Sequence, residues 1–151
     1  MKVNGANTVY YSEGNCIIEK SAMRVVGGCY NSQIPYGVKI IGAWSFAGKY
    51  NLTSISLPST ITSIERGAFG WCGLTSITIP SNVTLIKEIA FNGCTDLKSV
   101  TFSSSKTWTV TGYLAPGVVG PPHGATVSTS SPTTNASNLT GTYCNYIWTR
   151  N

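Results

Sequence analysis

Catalysis needs titratable or nucleophilic groups that converge, and this chain has few of either. Its one histidine, His123, lies in Gly120-Pro-Pro-His-Gly-Ala125. Paired with Cys144 it would make a thiol-imidazole dyad; alone in a Pro/Gly loop it is a solvent-exposed side chain. The five carboxylates, Glu13, Glu19, Glu65, Glu88 and Asp96, form no pair at equivalent positions. The glycines of "GVVGPPHG" lack both the GxGxxG spacing and the Lys-Ser/Thr of a phosphate loop, and suit turns instead. Cys16, Cys29, Cys72, Cys94 and Cys144 are five, an odd number, with no CxxC and no zinc-like Cys/His spacing. At least one thiol therefore stands outside any intrachain pairing. The sequons at Asn51, Asn82, Asn135 and Asn138 matter only on a eukaryotic secretory route. The expectation is a protein that is not an enzyme and holds no metal or cofactor.

The totals narrow the classes further. The 151 residues suit one structural domain, and the 42% that are apolar can supply a core, while only 10% are charged. The net charge of +5 comes from basic residues scattered from Lys2 to Arg150 without clustering, which argues against nucleic acid. No apolar run is long enough to span a membrane. The opening "MKVNGANTV" has no apolar signal core, which leaves a cytosolic protein or one whose targeting segment was removed.

What must position any functional group is a repeat. "LTSISLP" (52–58) returns as "LTSITIP" (74–80) and is echoed by "LKSVTF" (97–102). In register with it, Phe46, Phe69 and Phe91 are 23 and 22 apart, as are Ile41, Ile64 and Ile86, and Leu52, Leu74 and Leu97 are 22 and 23 apart. A period of this length signals stacked coils, whose repeated apolar positions become internal columns. In LTSITIP, Ile77 and Ile79 alternate with Ser76 and Thr78 as in a half-buried strand, and Pro80 ends it. The Ala68-Phe69 and Ala90-Phe91 steps are read as one helical turn each. Glu65 and Lys87, and Arg66 and Glu88, are each 22 apart, placing opposite charges on neighbouring coils. Cys72 and Cys94 share a coil position, either as a column of small buried thiols or as a disulfide between neighbours.

On these residues, and above all on "GLTSITIPSNVTLIKEIAFNGCTDL", the chain resembles the BspA-type leucine-rich repeat family over about residues 29 to 102. Lys49 in place of Cys and Ser45 in place of Ala are its departures. The fold expected is mainly β: a short right-handed leucine-rich-repeat solenoid of parallel short strands, in coils of 22–23 residues, with β caps at both ends. Residues 1–33 form the first cap, with a hairpin or strand pair around Glu13-Gly14-Asn15, and residues 34–102 the coils. Residues 103–151 form a loop and a closing strand, or a flexible tail. The resemblance implies a secreted or cell-surface bacterial protein and no common catalytic site; some members are adhesins for matrix proteins.

Function must then come from what the coils display. Ser54, Ser76 and Ser99, and Ser56, Thr78 and Thr101, make two exposed hydroxyl rows. Trp44 occupies a position that later coils give to Gly67 and Ile89, and Trp71 one that the other coils give to Gly48 and Gly93. With Tyr36 and Tyr50 these are the candidate partner-binding residues, because exposed Trp and Tyr anchor protein partners or stack on sugars; otherwise they pad a turn. The leading reading is a noncatalytic recognition or adhesion module for a host or matrix protein. A spacer without its own ligand and a glycan-binding module are the alternatives.

Overall fold

A computed structural model describes residues 1–112 and 124–151. Strands β1 (Tyr10–Glu13) and β2 (Cys16–Glu19) form an antiparallel hairpin. Its two turn residues, Gly14 and Asn15, have φ of 55° and 58°, as tight hairpin turns demand. Strand β3 (Arg24–Gly27) pairs antiparallel with β2, and pairing then turns parallel through β4 (Ile40–Ile41), β5 (Ser63–Ile64) and β7 (Leu85–Ile86). Val25, Ile41, Ile64 and Ile86 are thereby register partners in one row, and all are fully buried.

A second sheet, made by β6 (Ser76–Ile79) and β8 (Ser99–Phe102) in parallel, shares one buried core with the first. In the same core Phe46, Phe69 and Phe91 are fully buried, with centroids 5.3 and 5.4 Å apart and planes 15° apart. Leu52 and Leu74 are also fully buried, and Leu97 nearly so.

The Ala-Phe segments are not helical turns. Alternate amides reach sideways to the next repeat: Phe46 N–H to Ala68 O (2.9 Å), Gly48 N–H to Gly70 O (2.8 Å), Phe69 N–H to Ala90 O (2.8 Å), Trp71 N–H to Asn92 O (2.8 Å). Amides committed to a neighbouring repeat cannot climb their own segment, so tight turns form in place of a helix. The phrase "LTSISLP" also departs from the strand pattern, since its residues belong to no ladder.

Beyond β8 the chain makes β9 (Trp108–Thr111), β10 (Ala125–Val127), helix α1 (Pro132–Ser137), one π-helical turn (Asn138–Thr142) and β11 (Ile147–Arg150). Strand β11 lies between β7 and β9, extending the first sheet antiparallel. The polar run before it is a helix as well as a loop, because Pro132 opens α1 and the Ser131 side chain accepts from Thr134 N–H. Buried Trp108 and Trp148 pack edge to face 6.4 Å apart, with Phe102 against both. Asn135, fully buried, donates from Nδ2 to Val100 O of β8 (2.9 Å) and Thr129 O (3.0 Å). An asparagine so engaged is no glycan acceptor.

Candidate functional site

Each repeat turns twice through the left-handed backbone region after its short inner strand. The first position is Trp44, Gly67 and Ile89, at φ 58°, 60° and 53°; the second is Gly48, Trp71 and Gly93, at φ 70°, 54° and 73°. Glycine is the residue this geometry favours, and an L side chain there costs about 1–2 kcal/mol. Non-glycine residues persist in such a conformation only where the surroundings hold them, and they concentrate at functional sites.

Here the surroundings are glycine and a second indole. A Cβ on Gly67 would come within 2.4 Å of the Trp44 ring, and one on Gly93 within 2.4 Å of the Trp71 ring. Each indole thus lies flat on the bare backbone of the following repeat. The two rings stack on each other, centroids 6.3 Å apart and planes 12° apart, and each tryptophan is still 43% exposed. Neither indole N–H has an acceptor among the described residues. Beside them Arg66, whose carbonyl accepts from Trp44 N–H, forms an ion pair with Glu88 at 2.7 Å. The result is an apolar plate with two free donors and a charged rim.

Tyr36 and Tyr50 are more exposed, at 80% and 72%, but make no ring contact with the tryptophans or with each other among the described residues. Tyr36 belongs to the turn before β4, whose Gly37 amide donates to Thr60 Oγ1 (3.1 Å). The structure thus joins Trp44 with Trp71 and leaves the tyrosines apart. The positive φ at Ile89, missed in the sequence, could have been found there because Gly67 holds the equivalent place.

Ser54, Ser56, Ser76, Thr78, Ser99 and Thr101 line one shallow, uncharged depression that runs from residues 54–57 onto the second sheet. The interior groups are inert by contrast. Cys72 Sγ donates to Phe46 O (3.0 Å) and Cys94 Sγ to Phe69 O (2.9 Å), each thiol tying its repeat to the preceding one. Both are free thiols, and burial pushes them up to about 12 and about 11, far from the thiolate a nucleophile needs. Burial also raises the Cys144 thiol. His123, the other half of the imagined dyad, lies outside the described residues. Glu65 is held by Arg24 (3.5 Å) and Lys87 (3.8 Å), and Glu19 by Arg24 (3.2 Å), in a chain of ion pairs across the strands. Among the described residues no three His, Cys, Asp or Glu side chains gather where they could hold a metal, and no helix is long and apolar enough to cross a membrane.

The family model described as BspA type leucine-rich repeat region matches residues 17–113 in six copies. The chain belongs to the BspA-type leucine-rich repeat family. The matched span takes in all but the first residue of the hairpin strand β2 and the whole of β9, well beyond residues 29 to 102. Solved structures with the same repeat include a leucine-rich repeat protein from Eubacterium ventriosum, at 28% identity and a TM-score of 0.58 over 67% of this chain and 29% of that one. A leucine-rich cell surface protein from Faecalibacterium prausnitzii matches at 30% identity and a TM-score of 0.50, over 66% of this chain and 26% of that one. The pneumococcal vaccine antigen PcpA shares the fold at 18% identity, with a TM-score of 0.51 over 67% of this chain and 32% of its own. This BspA-type chain thus spans under a third of the length of each. No curated protein matches it.

Proposed function

We propose that the chain is a noncatalytic recognition module of a bacterial surface or secreted protein, and that it binds a host or matrix protein through the Trp44/Trp71 face. Residues 34–102 act as a short right-handed solenoid, closed by caps at 1–33 and 103–151. The observation that carries the reading is the stacked, half-exposed tryptophan pair, held in a backbone conformation that the neighbouring repeats give mostly to glycine. Paired exposed indoles next to an arginine have the composition of an interface hot spot. The surface location draws on the family and on a structural neighbour titled a cell surface protein.

The test is a binding screen of the purified chain against extracellular matrix proteins and a glycan array, repeated with W44G/W71G. Protein binding that is lost in the double variant supports the reading. Glycan binding alone would make this a sugar-stacking site, and no binding in either arm would leave a spacer.

A further inference from the structure

After β8 the chain runs through Ser103-Ser-Ser-Lys-Thr107 to β9, and after β10 through Ser128-Thr-Ser130 towards α1. These two stretches, with Thr101, Phe102 and Pro132, line a groove of about 450 Å³, a size at which proteins hold small ligands. Every residue of the lining carries a hydroxyl except Phe102, Lys106 and Pro132. The walls are tied in place. Ser103 N–H donates to Ile79 O of β6 at 2.9 Å, and Val127 of β10 is the register partner of Trp108. The buried Asn135 joins the two stretches, donating to Val100 O of β8 and to Thr129 O. A groove built in advance has little ordering to pay on binding.

The chemistry of the lining is one-sided. Lys106 is exposed and in no ion pair among the described residues, no carboxylate lines the groove, and none occurs between Leu97 and Asn151. The charge such a cleft favours is negative. The hydroxyls of Thr101, Ser103, Ser105, Thr107 and Thr129 make no hydrogen bond to a described residue, and each can both donate and accept. Half-buried Phe102 and exposed Pro132 add carbon surface beside them. An inorganic oxyanion would engage the lysine and leave the carbon surface bare, and an apolar ligand would leave the hydroxyls without partners. A sugar ring bearing an oxyanion engages all three: a charge for the lysine, hydroxyls around its rim, and C–H faces for the aromatic carbon. Thr101 also lines the shallow depression that runs to residues 54–57. The groove therefore opens onto further uncharged hydroxyls, with room for a chain of sugars.

We propose that the groove formed by residues 101–107 and 128–132 binds an acidic sugar of a glycan chain, with Lys106 on its carboxylate or sulfate and the serine and threonine side chains on its hydroxyls. The site shares no residue with the tryptophan face and does not depend on it.

The test is a titration of the full chain to millimolar ligand, with its amide signals followed by NMR. The acidic probes are a tetrasaccharide of alternating glucuronic acid and N-acetylglucosamine and a sulfated tetrasaccharide, which tell carboxylate from sulfate. The controls are the first probe with its carboxyls methyl-esterified, and inorganic sulfate. At least one acidic probe shifts the amides of residues 103–107 and 128–130, and both controls bind about tenfold or more weakly. Lys106→Gln weakens the acidic probe by a similar factor, the worth of one hydrogen bond to a charged group, whereas Lys39→Gln, at an exposed lysine outside the groove, leaves it unchanged. W44G/W71G gives the same titration, so failure of the tryptophan reading leaves this result standing, and the reverse holds. No binding of either acidic probe, or equal binding of the ester or of inorganic sulfate, overturns the proposal. So does equal weakening by Lys39→Gln, which would mean diffuse attraction to net charge, and so do shifts confined to the tryptophan face.

Discussion

Replacing Trp44 or Trp71 by glycine should disturb the fold less than replacing either by alanine, the reverse of the usual order. Both residues sit at positive φ, where alanine keeps a strain of about 1–2 kcal/mol that glycine does not. Against this, glycine loses about 0.5–1 kcal/mol more chain entropy on folding, which leaves it ahead by roughly half to one. Both substitutions lose the covered part of the ring. A fully covered tryptophan buries about 150–250 Å², and each of these is 43% exposed. Roughly 90–140 Å² is therefore at stake, or about 2–3.5 kcal/mol at ~25 cal/mol per Å², an upper figure because the unfolded chain also covers some of it. With that net advantage, each alanine variant should lose about 2–3.5 kcal/mol and each glycine variant about 0.5–1 kcal/mol less. Urea unfolding of the four variants, followed by circular dichroism and extrapolated linearly, measures the order. Alanine variants as stable as the glycine ones would refute the strain argument. A glycine variant losing more than about 4 kcal/mol would make the indole a core residue and not a displayed one.

The other expectations concern the parts that hold this surface. Phe69→Ala removes the middle of a three-ring stack that is fully buried and should lose about 3–5 kcal/mol in the same assay; a loss under about 1 would contradict the column. Asn135→Ala strips β8 and Thr129 of their buried donor, and the unfolding free energy should fall by about 1–3 kcal/mol. Arg66→Ala breaks an ion pair whose arginine is mostly exposed, so stability should move by less than about 1 kcal/mol. The buried thiols of Cys72 and Cys94 titrate above their ordinary value of 9.0. Unfolding above that pH therefore releases protons, and their stabilising effect, complete below pH 9, is lost as the pH rises through about 11 and about 12. A pH series of melting curves should show this fall, and Cys72→Ala should flatten it.

The repeat was legible because its spacing is enforced by packing: Phe46, Phe69 and Phe91 stack only if the period holds. The family followed from the same residues. The tryptophans announced themselves by standing where neighbouring repeats have glycine, but that both places are left-handed, and that the rings lie on Gly67 and Gly93, depends on backbone angles that a side-chain pattern does not encode. The unpaired state of residues 54–57 was hidden because their sequence is that of a strand. Pairing depends on what stands alongside, and Gln33 turns its amide to Gly14 of the hairpin while Ser32 turns its own to Cys29. Helix α1 escaped notice in a Ser/Thr-rich run, although Ser131-Pro132 is a start signal. Asn135 looks like any surface sequon until its burial against β8 is known.

The most direct measurement is the dissociation constant of a matrix protein recovered in the screen, for the natural chain and for W44G/W71G, with folding of both verified by circular dichroism. If the paired indoles are the contact, the double variant should bind at least about thirtyfold more weakly, the loss expected for even one hot-spot residue. Equal affinity in the two proteins would contradict the assignment of recognition to this face.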